Sequence, residues 1–162
     1  MHRIDTHQHL IPDFYLKAMQ DNGMGGGDSK FSWPQWSPES AAQFQSELGI
    51  DTAILSVSTP GTTILPRAAD AAALARDLND YTADFASSSD GSFGFFATVA
   101  MPHVAEVAAE AGRAIDDLHA DGVVLLANSS GTYLGESGQD DLFAALDARE
   151  AVVLIHPAEL PG

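Results

Sequence analysis

The chain contains no cysteine. Disulfides and thiolate metal sites are therefore excluded, and any metal site must draw on histidine and carboxylate ligands. Basic residues are scarce: 7 Lys and Arg stand against 23 Asp and Glu, a formal net charge of −16 over 162 residues. That balance argues against nucleic acid, whose phosphates repel an acidic surface. It argues equally against an anionic membrane surface. Long apolar runs are missing too. Val152–Ile155 is typical of those present, far short of the about 20 residues needed to cross a bilayer. Asp5 and His7 interrupt the N-terminal segment, so no signal peptide is expected and the expected compartment is the cytoplasm. What the chain does have is 45% hydrophobic residues, enough for a sizeable core, and a length that fits one domain.

Five short apolar segments read as strands: Ile4–His9, Thr52–Val57, Phe93–Val99, Gly122–Leu126 and Ala151–Ile155. Val123–Leu126 and Val152–Ile155 are apolar at every position, which predicts strands buried on both faces. The segments between read as helices. Ser37-Pro38-Glu39 supplies an N-cap, a first-turn proline and a first-turn acid, and Gly49 a stop. Ala41, Phe44 and Leu48 mark the expected buried stripe of that helix. Leu74, Leu78, Tyr81 and Phe85 mark a second helix after Pro66, and Val107, Ala111, Ile115 and Leu118 a third. Leu142, Phe143 and Leu146 anchor a short fourth one. Strict strand–helix alternation predicts a parallel sheet with right-handed crossovers. Asp21–Lys30 and Asn128–Gln139 read as polar, glycine-containing loops.

The strongest chemical signal is Asp5-Thr6-His7-Gln8-His9 at the end of the first strand. Strand alternation sends His7 and His9 the same way, with Cβ atoms roughly 6.5 Å apart. Two imidazoles so placed can reach one divalent ion. Asp5 shares their parity and is a candidate to orient a ligand histidine from behind. The plainer alternative is a pair of polar residues at a solvated strand end. A second signal is His156, where an apolar strand gives way to Pro157. In a parallel α/β sheet or barrel the C-terminal strand ends form the active face, which would bring His7, His9 and His156 together. His103 and His119 read as loop or helix-end histidines. Arg67 is a candidate partner for a substrate carboxylate, with Arg76 and Arg113 more readily explained as partners of nearby acids. Phe31, Trp33 and Trp36 are candidates to stack on a planar substrate, or equally to be buried under the first long loop. An open five-stranded nucleotide-binding sheet is a weak alternative, because Leu10-Ile11-Pro12 stands where a glycine-rich turn would.

Asp5 through Pro12 resembles the metal-binding start of the amidohydrolase superfamily, in the branch of aminocarboxymuconate-semialdehyde decarboxylase and related aromatic-acid decarboxylases. Leu48–Ser56, Ser58-Thr59-Pro60-Gly61, Phe93–Ala97, Asp121–Leu126, Tyr133-Leu134-Gly135 and His156-Pro157 are similar to successive strands and loops of that branch. The resemblance implies a (β/α)8 barrel holding a divalent ion, usually zinc, with His7, His9 and His156 as ligands. It implies carbon–carbon cleavage of a carboxylated aromatic or semialdehyde substrate, with hydrolysis of an amide, ester or lactone as the second reading. It also implies a histidine near the sixth strand and an aspartate at the eighth. These acid/base groups would lie beyond Gly162, and a barrel of this type needs about 250 residues. Residues 1–162 are therefore expected to be one incomplete domain, the first five β/α units of the barrel. Such a chain is expected to be inactive alone and to pair with a copy of itself or with the missing half. An inactive metal-binding half-barrel is the third reading.

Overall fold

Apolar strands and amphipathic helices alternate in space as they do in sequence. The computed structural model describes residues 2–24 and 33–158. In chain order it runs β1 (Ile4–His9), α1 (Asp13–Asp21), α2 (Pro38–Leu48), β2 (Thr52–Ser56), α3 (Ala68–Ser87) and β3 (Phe93–Thr98). There follow α4 (Val104–Asp116), β4 (Gly122–Leu126), β5 (Asn128–Ser129), β6 (Thr132–Tyr133), α5 (Asp140–Asp147) and β7 (Val153–His156). Five strands form one parallel sheet in the order β1-β2-β3-β4-β7. Spatial order follows chain order without reversal, so the sheet has no switch point of the doubly wound kind. It curls as the N-terminal half of a (β/α)8 barrel.

Strand alternation divides the apolar side chains between two faces. Ala53, Leu55, Phe95, Ala97, Val123 and Leu125 join the main core with Leu74, Leu78, Val107, Ala111, Leu142 and Leu146 of the helices. Ile54, Phe96 and Val124 form a separate cluster, with Leu154 packed against it. This row crosses four adjacent strands and lines the inner, concave face. Gly122 permits a close backbone approach between β4 and the start of the last strand: a Cβ there would stand 2.2 Å from the Val152 carbonyl oxygen.

A polar lock ties α3, β3 and α4 together. Asn79, 1% exposed, donates from Nδ2 to the Thr98 carbonyl (2.9 Å) and Glu110 Oε1 (2.8 Å). Its Oδ1 accepts from the Thr98 N–H at 2.8 Å. Glu110 is also held by Arg113 and Arg76. These arginines therefore serve the helix layer, as their positions in helices suggest.

Several expectations need correction. In α2, Ser37 and Ser40 form a reciprocal capping box and Gly49 is left-handed at φ 62°. Yet its buried residues are Ala41 and Gln45, while Phe44 and Leu48 are 46% and 49% exposed. Gln45 wins the inward position because its Nε2 donates to the Ser92 carbonyl. In α5, Leu142 and Leu146 are buried but Phe143 is 39% exposed. The last strand begins two residues later than predicted and is not covered on both faces: Val152 and Ile155 are 58% and 62% exposed. The reason is that β7 pairs with β4 on one side only, among the described residues. Helix α1 was missed, and the polar loop after β4 contains the β5–β6 hairpin.

Candidate metal centre

The site sits at the C-terminal ends of the parallel strands, where three histidines meet. His156 is the last residue of β7, paired with Leu126. His7 and His9 come from β1, four strands away. Alternation in β1 is broken: Asp5 pairs with Ala53 but Gln8 with Leu55, so Thr6 and His7 form a bulge opposite Ile54. Bulges re-aim side chains next to functional sites. After this one, His7 and His9 still converge, with Nε2 atoms 3.2 Å apart. His9 Nε2 lies 3.1 Å from His156 Nε2. The three ring centroids are mutually 4.8–4.9 Å apart, with one ligand nitrogen from each within 4.8 Å of the others.

The outer ring nitrogens decide what the inner ones can do. His9 Nδ1 lies 3.2 Å from the Ser56 carbonyl oxygen, and His156 Nδ1 lies 2.6 Å from the Pro157 carbonyl oxygen. A carbonyl only accepts, so the tautomer that satisfies both contacts places the proton on each Nδ1. In the neutral rings each Nε2 is then a bare lone pair. Two lone pairs facing each other at 3.1 Å repel unless a cation lies between them. Outer N–H groups donated to carbonyls are the usual support of metal-bound histidines. Nitrogens bound tetrahedrally to zinc at 2.0–2.1 Å are about 3.3 Å apart, close to the spacings here. Burial lowers the His9 pKa below its ordinary value, and His156 and His7 push the same way, against the Ser56 hydrogen bond and Asp5. The neutral, ligating form of His9 is thereby favoured.

The remaining candidates separate clearly. Asp5 does not back a ring: its carboxylate accepts from the His7 backbone N–H at 3.0 Å, because the bulge takes it out of the histidines' register. It steadies the His7 backbone instead. Trp33 lies beside the site, sharing with His9 a cavity of about 240 Å3 lined also by Leu10, Ile11, Tyr15 and Met19. Trp36 does not: its ring packs edge-on against Tyr81 and Phe85 of α3. Arg67 precedes α3, exposed and paired with Asp70. It has no contact with the histidines among the described residues. Phe31 lies outside the described residues. His103 stands just before α4 without a side-chain capping bond.

Two supporting residues escaped sequence reading. Ser56, completely buried, holds His9 through its carbonyl and through its hydroxyl, 3.3 Å from Nδ1. A polar residue closing the apolar strand Ala-Ile-Leu-Ser was the available signal. Thr59 Oγ1 donates to the Pro157 carbonyl across 98 residues of chain, and nothing in the sequence announces that bond. Thr59 also borders a second cavity of about 370 Å3, shared with Thr63, Asn128 and Ser130.

The amidohydrolase family model matches residues 4–161. The decarboxylase yanB of Aspergillus niger is 41% identical, an alignment covering 97% of this chain and 44% of that protein. The 6-methylsalicylic acid decarboxylase acuB of Aspergillus aculeatus is 37% identical, covering 96% and 47%. Among solved structures, an amidohydrolase II is 30% identical with a TM-score of 0.89, covering 98% of this chain and 52% of that one. A 5-carboxyvanillate decarboxylase of Novosphingobium aromaticivorans, complexed with manganese and a nitrobenzoic acid, is 24% identical with a TM-score of 0.84, covering 99% and 51%. That last likeness concerns the fold. The chain spans about half the length of the curated relatives it matches. Since the family match runs from the histidine-bearing first strand through His156, this half-barrel belongs to the amidohydrolase family.

Proposed function

We propose that this chain supplies the metal-binding half of a decarboxylase acting on a carboxylated aromatic ring. The observation that carries the proposal is the pair of facing Nε2 atoms of His9 and His156, with each outer Nδ1 set against a backbone carbonyl. His7 completes a set of three nitrogens. Three protein ligands leave positions for substrate, the catalytic rather than the structural arrangement. A divalent ion held there supplies Lewis acidity toward substrate oxygens. Three imidazoles by themselves favour zinc. The manganese bound by the 5-carboxyvanillate decarboxylase makes it the competing ion to test.

The chain's own residues do the holding and aiming. Ser56 and Pro157 fix two rings, and the β1 bulge aims the third. Decarboxylation breaks the bond between ring and carboxyl carbon, releases carbon dioxide and requires a proton at the ring carbon. The proton-transfer group belongs to the later strands implied by the family resemblance. General acid–base catalysis is worth about 10²–10⁴-fold, so this chain alone turns over little or no substrate. The names of the curated relatives favour decarboxylation over hydrolysis.

The test is metal analysis of the purified chain against His9→Ala/His156→Ala, after exposure to zinc or manganese. One bound ion per chain in the wild type and none in the variant is expected. Equal content in both overturns the assignment. Carbon dioxide release from aromatic acids by a full-length relative, lost with the equivalent pair of substitutions, tests the reaction.

A further inference from the structure

One backbone carbonyl governs the aim of His156. The Pro157 oxygen lies 2.6 Å from His156 Nδ1 and also accepts from Thr59 Oγ1 at 3.3 Å. The two contacts occupy its two lone pairs. Thr59 stands beyond the end of β2, and β3 and β4 lie between β2 and β7 in the sheet. The Thr59 hydroxyl therefore crosses the mouth of the half-barrel to reach the end of its last strand. The loop that carries it is well held. The Gly61 N–H donates to the Ser58 carbonyl at 2.8 Å, the Tyr15 hydroxyl of α1 donates to the Gly61 carbonyl at 2.8 Å, and Thr63 Oγ1 donates to the Pro60 carbonyl at 2.7 Å. The end of β7 is held by less. Among the described residues, two hydrogen bonds from other segments reach His156 and Pro157 through their carbonyls: the Ala127 N–H to His156 at 2.8 Å, and Thr59 to Pro157.

The 3.1 Å between the Nε2 atoms of His9 and His156 is also an ordinary hydrogen-bond distance. With its proton on Nε2, His156 would donate to His9, and the pair would close on itself with no lone pair left between the rings for a cation. That tautomer sets a bare Nδ1 lone pair against the Pro157 oxygen at 2.6 Å, so it requires the carbonyl to swing away. The proline ring locks φ, which leaves ψ as the torsion that turns this carbonyl. The Thr59 hydroxyl restrains that torsion.

We propose that Thr59 is a positioning residue for the metal centre: by holding the Pro157 carbonyl against His156 Nδ1, it keeps His9 and His156 open to a cation instead of closed on each other. The inference rests on the metal reading of the proposed function and adds the residue that holds the site open.

The test reads the rings without metal first. Long-range proton–nitrogen NMR of the 162-residue chain, labelled with 15N-histidine at pH about 8 where imidazoles are neutral, reports which nitrogen carries the proton. His156 is assigned from its absence in His156→Ala. The wild type should show His156 protonated on Nδ1. Thr59→Val should populate the Nε2–H form, and Thr59→Ser, which keeps the hydroxyl, should restore the wild-type pattern. Isothermal titration with zinc should show a loss of about threefold to tenfold in Thr59→Val, the worth of one ordinary hydrogen bond, and none in Thr59→Ser. Thr59→Ala deletes the hydroxyl without a second methyl, should behave as Thr59→Val, and serves if that variant does not fold. A wild-type His156 already protonated on Nε2, an equal change in Thr59→Ser, or an unchanged tautomer in the hydroxyl-less variants overturns the role of Thr59. Zinc bound equally by all these chains overturns it too and leaves the metal reading standing. A tautomer shift in Thr59→Val in a chain whose wild type binds no zinc upholds the positioning and overturns the metal reading.

Discussion

Asn79→Ala tests the lock that holds α3 and α4 against the sheet. The wild-type amide makes three hydrogen bonds in a site 1% exposed. Truncation leaves Glu110 its arginines but withdraws the side-chain partner of both the N–H and the carbonyl of Thr98. A buried polar group left unsatisfied costs about 1–3 kcal/mol. Two such groups give about 2–6 kcal/mol, with about 3 as the working value because the vacated space admits a water that recovers part of the loss. For a chain of this size about 3 kcal/mol corresponds to a fall of roughly 6–12 °C in Tm. Urea unfolding followed by circular dichroism measures it, and the midpoint should fall with the slope unchanged, since the exposed surface on unfolding is the same. Asn79→Asp should cost at least as much. It keeps an acceptor for Thr98 N–H but loses both donors and sets a carboxylate against Glu110. A loss under about 1 kcal/mol for Asn79→Ala, within the range of an ordinary exposed substitution, refutes the lock.

Gly122→Ala should weaken both the fold and ion binding, because a Cβ 2.2 Å from the Val152 carbonyl oxygen forces β7, and His156 with it, away from β4. Isothermal titration with zinc should show at least a tenfold loss of affinity, and wild-type affinity would mean that the strand end moves independently of its start. Zinc at 100 times its Kd should stabilise the wild type by about 2.7 kcal/mol, raising Tm, with no shift in His9→Ala/His156→Ala. An equal shift in both would place the ion elsewhere. Ile4, Val152 and Ile155, 54%, 58% and 62% exposed on the two edge segments, should drive association of the isolated chain. Sedimentation should show species above the monomer that Val152→Lys/Ile155→Lys reduces, and a strictly monomeric wild type with a cooperative melt would mean these edges are benign.

Strand–helix alternation, the capping of α2 and the His-x-His signal were legible because each depends on neighbours within a few residues. Ser37, Pro38 and Gly49 carry their helix-end chemistry wherever α2 packs. Phe44 and Leu48 were misread for the converse reason. Their spacing is helical, but which stripe faces inward is settled by the Ser92 carbonyl that Gln45 reaches, 47 residues away. Asp5 reaches the His7 backbone N–H rather than a ring, and the shared parity could not show this because a bulge is a property of pairing with β2, not of β1 alone. Tyr15 and Trp33 became walls of one cavity only when α1, which has no strong sequence signature, folded back beside β1. Residue type and local order determined by themselves that thiolate ligands are excluded and that His7, His9 and His156 stand at strand ends. That His9 and His156, 147 residues apart, face each other through their Nε2 atoms was decided only by the tertiary structure. Strand pairing set the distance, and two backbone carbonyls, Ser56 and Pro157, stand against the outer ring nitrogens.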